Sequence, residues 1–193
     1  MTTETLLNSL YLLLGMGVLG AWFREYQKRR YTCGPELFWP GTTQAPISGI
    51  LIIVSGILLL TITETCVEIH YQVTASQSVS TLSILAASLG AAVIEEMVFR
   101  GFCAPNHLSG LKLLALILVG SVIFSAIHGF DFKSVQGIIS YVFTFLVSVW
   151  LYLGKYNPLN PQRSILPCLV GHIVRNLSVF GIKWVQGYVN FNS

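Results

Sequence analysis

With 53% of its 193 residues hydrophobic and only 10% charged, the chain lies far below the roughly 25% charge of a water-soluble domain and reads as an integral membrane protein. Its net charge of +3 is small and scattered, which argues against a nucleic-acid-binding surface. Cys33, Cys66, Cys103 and Cys168 form no CxxC pair, so neither a disulfide framework nor a thiolate zinc site is expected, and the four read as packing residues.

A helix needs about 20 apolar residues to cross a bilayer, and six stretches qualify, at 6–23, 46–63, 79–100, 112–130, 135–153 and 165–185. Lipid offers no partner to an unpaired backbone group, so these spans are expected to be helices. The expected fold is an all-α polytopic membrane bundle, a single domain over residues 1–193, since no linker, low-complexity tract or repeat divides it. The first stretch has neither a basic leader nor an A-x-A site and reads as a retained helix. Punctuation separates the spans: "TCGPELFWPGTTQAP" after the first, "HLSG" after the third and "GKYNPLNPQR" after the fifth.

Basic residues cluster after spans 1, 3 and 5: Arg24, Lys28, Arg29 and Arg30, then Arg100 and Lys112, then Lys155 and Arg163. Only Lys133 and Lys183 follow spans 4 and 6, and none follows span 2. The positive-inside rule then places both termini outside the cytoplasm, and the inner membrane of a prokaryote is the expected setting.

Glu95, Glu96, His128, His172, Arg175 and Asn176 fall within the apolar spans, where a lone charge costs about 2.5–3.5 kcal/mol. Polar residues also glue membrane helices together, so the case for chemistry rests on arrangement. Glu96 and Arg100 are one helical turn apart and can neutralise each other, whereas Glu95 points elsewhere and has no local counter-charge. That makes Glu95 the candidate general base. His128 lies 33 positions after Glu95, and a hairpin turning near Leu111 sets each about 16 residues, or roughly 24 Å, from that turn. His172 and Asn176 share one face of span 6 at a comparable depth.

Glu95-Glu96-x-x-x-Arg100, Phe124-x-x-x-His128 and His172-x-x-x-Asn176 together resemble the three motifs of the CAAX-protease and bacteriocin-processing family of intramembrane proteases, which includes the type II CAAX prenyl endopeptidases. The motifs cover residues 93 to 176, within a family-like core of about 79–185. The resemblance implies that Glu95 and His128 activate a water while His172 and Asn176 hold the oxyanion, with Glu96 and Arg100 as structural support. Glu95, His128 and His172 also suit a three-ligand Zn²⁺ site with one open position, and the sequence leaves both readings open. There is no HExxH. Arg175 fits no part of the pattern; pairing with Glu96 or Asp131 is expected, with binding of a substrate carboxylate as the alternative.

The function expected is hydrolysis of a peptide bond in a membrane-tethered protein, without an acyl-enzyme, because no Ser or Cys sits in a nucleophile motif. The expected substrate is a membrane-anchored protein or peptide, cleaved near a C-terminal anchor or sorting tail. The alternative is a non-catalytic binding or immunity protein on the same scaffold. A small transporter would also explain intramembrane charge, but no inverted repeat supports one.

Overall fold

The computed structural model describes residues 3–29, 38–74 and 80–191. Its helices are α1 (Thr3–Arg29), α2 (Ile47–His70), α3 (Leu82–Glu96), α4 (Gly110–Ala126), α5 (Val135–Tyr156) and α6 (Leu166–Val185). The six expected spans thus appear as six helices in an all-α bundle. Four of them, α1, α2, α5 and α3 with its extension to Phe102, are long and apolar enough to cross a membrane. Leucines such as Leu13, Leu14 and Leu59 are exposed, as expected where the outer face meets lipid rather than water.

Local chemistry marks several helix starts. Thr81 caps α3 by accepting from the Ile84 amide at 3.2 Å, and Ser134 caps α5 by accepting from Gly137 at 3.0 Å, each satisfying an otherwise orphaned donor. Pro167 sits in the first turn of α6, where its missing N–H costs nothing. The end of α3 is the departure from regularity: Met97–Phe102 continues it as a π-helical turn, a form common at functional sites.

The connections fall into two sets. Arg163, between α5 and α6, donates to Leu108 O between α3 and α4 at 3.0 Å, and Thr43, between α1 and α2, donates to Gln162 O at 2.9 Å. These three connections therefore share one end. At the other end two short strands, β1 (Ser80–Thr81) and β2 (Val189–Asn190), pair in parallel. Near the first end Glu25 of α1 accepts from the Trp39 amide at 3.2 Å and Trp22 Nε1 donates to Pro40 O at 3.0 Å, fastening the α1–α2 connection to its helix.

Packing follows the same layout. Trp22, Val93, Met97, Ile165 and Leu169 join α1, α3 and α6, while Ile53, Ile57, Val147 and Leu151 join α2 to α5. Gly15 and Gly90 let α1 and α3 approach so closely that a Cβ on either would strike the opposite backbone, the small-residue contact typical of membrane helices.

Three sequence expectations need correction. Arg100 and Lys155 are not connection charges: both are buried, and Lys155 Nζ donates to Arg100 O at 2.7 Å and Ala104 O at 2.6 Å, closing off carbonyls beside the π turn. The α3–α4 turn is not centred on Leu111, because α4 already begins at Gly110. Cys168 is a buried packing residue, whereas Cys66 and Cys103 are exposed; Cys33 and Arg30 lie outside the described residues.

Candidate active site

The polar centre is built where α3 ends, on the flank of α6 and α5. Glu96 is completely buried, and one of its oxygens, Oε1, accepts from Arg100 Nη1 at 2.9 Å and meets His172 Nδ1 at 2.8 Å. The first contact is the expected i,i+4 pair; the second joins α3 to α6 across the bundle. A carboxylate accepts only, so His172 carries its proton on Nδ1 and donates. Its Nε2 remains for the site and stands 3.8 Å from Glu95 Oε2.

Arg100 is held on all sides. Its Nη2 donates to Ser148 Oγ at 2.6 Å and to Ser148 O at 3.0 Å. The guanidinium also lies over the rings of Phe124 (4.7 Å) and Tyr152 (4.6 Å), a favourable cation–π setting once water is removed. Among the described residues, Glu96 Oε2 and Arg100 Nε are buried side-chain atoms left without a hydrogen bond. A buried charged pair this constrained fixes the position of whatever else it holds, here the His172 ring.

His128 reaches the same region by a route other than the hairpin arithmetic. Counting from the ends of the helices sets Glu95 about 10 Å and His128 about 27 Å from the α3–α4 connection. Yet α4 is offset along the bundle: Phe124 lies against Arg100, its ring 6.0 Å from His172 and 4.8 Å from His128. His128 Nδ1 donates to Phe124 O at 2.7 Å. A carbonyl can only accept, so in the neutral ring Nε2 carries the lone pair.

Phe124, His128, His172 and Asn176 line one cleft of about 260 Å³, with Ser88 of α3 and Val147 of α5 also in its wall. Asn176 shares a face of α6 with His172, as its spacing predicts, and one of its amide protons is donated to Ser88 O at 2.9 Å. Glu95 is about a quarter exposed, in contrast to Glu96. Arg175 does not pair with Glu96 or Asp131. It bonds Thr61 Oγ1 at 3.0 Å and makes a close ion pair with Glu64, both on α2. Sequence reasoning missed Glu64 and Ser148, because neither sits at a helical spacing from the charge it serves.

His128 and His172 line one cleft, while Glu95 is not among its lining residues and approaches it through His172 Nε2; an imidazole oriented by a buried carboxylate, with a glutamate and a second imidazole nearby, can carry out general acid–base chemistry. The model of one protein family, the type II CAAX prenyl endopeptidase Rce1-like family, matches residues 77–178, from just before α3 into α6. This chain belongs to that family. The match spans every residue of the polar centre and of the three motifs. No curated protein and no solved structure matches the chain. As a member of the Rce1-like family it is an intramembrane protease of the CAAX type, with a peptide or protein substrate in a membrane setting.

A metal-dependent version of this chemistry would require Glu95, His128 and His172 to converge on one point. Among the described residues, no group of three His, Cys, Asp or Glu side chains is arranged to hold a metal ion. The bond from His172 Nδ1 to Glu96 leaves Nε2 open and is compatible with either chemistry.

Proposed function

We propose that this protein is an endopeptidase that hydrolyses a peptide bond in a membrane-tethered protein, close to a C-terminal anchor or sorting tail. Glu95 and the Nε2 lone pair of His128 activate a water, taking its proton as the oxygen adds to the carbonyl carbon. An N–H on His172 Nε2 and the free amide proton of Asn176 donate to the oxyanion of the tetrahedral intermediate. The intermediate then collapses, the C–N bond breaks, and the proton taken from water passes to the departing amine. Water is the nucleophile throughout and no acyl-enzyme forms.

The observation that carries this reading is the contact of Glu96 with His172 Nδ1. It fixes which nitrogen of His172 faces Glu95, and it places that nitrogen beside the cleft into which His128 also opens. Purified protein mixed with a pool of synthetic membrane-anchored C-terminal tails tests it: fragments are expected by mass spectrometry with the parent and not with Glu95→Gln. Equal cleavage by the two would remove the proposed base.

A further inference from the structure

A lysine in the last turn of a membrane helix ordinarily runs its ammonium out to the interface. Lys155 occupies that turn of α5 and is buried instead. Its Nζ donates to Arg100 O at 2.7 Å and to Ala104 O at 2.6 Å, carbonyls within and just beyond the π turn. The sequence explains why the first of these needs an outside donor. A π pattern pairs each carbonyl with the amide five residues on, and the residue five beyond Arg100 is Pro105, which has no N–H to give.

Other side chains of α5 meet the same segment. Tyr152 Oη donates to Phe99 O at 3.4 Å and Tyr156 Oη to Pro105 O at 3.0 Å, while Ser148 Oγ accepts from Arg100 Nη2 at 2.6 Å. Positions 148, 152, 155 and 156 lie on one helical face. That face grips the main chain at the end of the π turn and, through Ser148, the head group of Arg100. Reversion of the turn to α spacing would rotate the chain on one side of it against the other by one residue, about 100°. Glu96 precedes the turn and Arg100 lies within it, so the rotation would fall on the pair that holds His172.

We propose that Lys155 is a positioning residue for the reaction: by occupying the Arg100 and Ala104 carbonyls it keeps the turn in its π form, and through Arg100 and Glu96 it sets the direction of the His172 ring. The chain of contacts is continuous, from Lys155 Nζ to Arg100 O, from Arg100 Nη1 to Glu96 Oε1 at 2.9 Å, and from Glu96 Oε1 to His172 Nδ1 at 2.8 Å. Lys155 is not among the residues that line the catalytic cleft, so it acts on the chemistry only through that chain. The inference rests on the proteolytic reading above for its effect on rate, and on the contacts alone for its effect on the ring.

The test follows the full chain, labelled with nitrogen-15 histidine, by NMR in detergent micelles. His172 Nδ1 and His128 Nδ1 each hold a proton in a hydrogen bond, so each is expected to give an exchange-protected imidazole signal, assigned by its loss in His172→Ala or His128→Ala. Lys155→Met keeps the length of the side chain and removes its donors. It is expected to shift or abolish the His172 signal, to keep that of His128, and to lower kcat on a tail from the pooled assay about 10²-fold with KM within about twofold of the parent's. Trp150→Phe removes a different hydrogen bond of α5, the one to Ile53 O on α2, and is expected to leave both signals and kcat in place. A His172 signal or a kcat that stays with the parent's in Lys155→Met, or equal losses in Trp150→Phe, would overturn the proposal. Should Lys155→Met not fold, Tyr152→Phe decides: it keeps the ring over Arg100 and drops the bond to Phe99 O, and is expected to shift the His172 signal and lower kcat about tenfold, parent-like behaviour counting against the proposal. Loss of the His172 signal in Lys155→Met, with no tail cleaved by the parent, would keep the positioning role and sink the proteolytic reading instead.

Discussion

Glu96 and His172, 76 positions apart, meet at 2.8 Å through a carboxylate oxygen that also holds Arg100 at 2.9 Å. The stability of the centre and the orientation of the His172 ring therefore depend on the same atom. Removing one partner of a buried pair leaves the other unmatched, at a cost of about 3–5 kcal/mol. Arg100→Ala is expected to lower the unfolding free energy in detergent by about that amount, with Ser148→Ala costing about 1–2 kcal/mol through loss of its hydroxyl as an acceptor, since the bond to its backbone carbonyl survives. An Arg100→Ala protein that unfolds at the parent's denaturant midpoint would show that the pair does not support the fold.

For the water-activating pair the expected signature is different. Glu95 is partly exposed, and among the described residues it makes no side-chain hydrogen bond, its approach to His172 Nε2 being 3.8 Å, so Glu95→Gln removes a proton acceptor without removing a support. Together with His128→Ala it is expected to lower kcat by about 10²–10⁴ while the unfolding midpoint stays close to the parent's. Single-turnover rates on a tail identified in the pooled assay check this, and parent-like turnover by either variant would exclude the pair.

His172 and Asn176 are distinguished by what else they hold. His172→Ala is expected to reduce kcat by about 10²–10³ with little change in KM, as loss of an oxyanion donor does, and to lower stability by about 1.5–3 kcal/mol, because its ring is the buried partner of Glu96 across α3 and α6. Asn176→Ala is expected to lower kcat in the same way at a smaller stability cost of about 1 kcal/mol, because its amide fastens α6 to Ser88 of α3. A loss confined to KM in both would assign them to substrate positioning instead.

The bundle was legible because apolar runs of span length leave few alternatives in lipid, and the Glu96–Arg100 pair because it obeys the local spacing of a helix. The contact of Glu96 with His172 and that of Arg175 with Glu64 were not, since partners 76 and 111 positions apart are set by which helices adjoin. Arg100 and Lys155 were misread for another reason. A charge at the end of an apolar run is ordinarily solvated, and only the surrounding Ser148, Phe124 and Tyr152, and the open carbonyls of the π turn, make burial of these two affordable. The counting that set His128 level with Glu95 started from a turn at Leu111 that the structure replaces with the start of α4 at Gly110, and His128 comes beside His172 through Phe124 instead.

The side of the membrane that the site is expected to serve is argued from the charges that do reach the surface. With Arg100 and Lys155 buried and Lys183 within α6, the bias rests on Arg24, Lys28 and Arg29 on the last turns of α1, with Lys112 and Arg163, all at the end where the α1–α2, α3–α4 and α5–α6 connections meet. Lys133 alone represents the opposite connections. By the positive-inside rule that first end is expected to face the cytoplasm, which would set the 127–134 connection on the other side. Lys133→Cys, in the chain with Cys33, Cys66 and Cys103 changed to serine, is therefore expected to react with a membrane-impermeant maleimide added to intact cells, and Arg163→Cys only after the membrane is opened. The reverse pattern would turn the bundle over and direct the cleft to substrates on the cytoplasmic face.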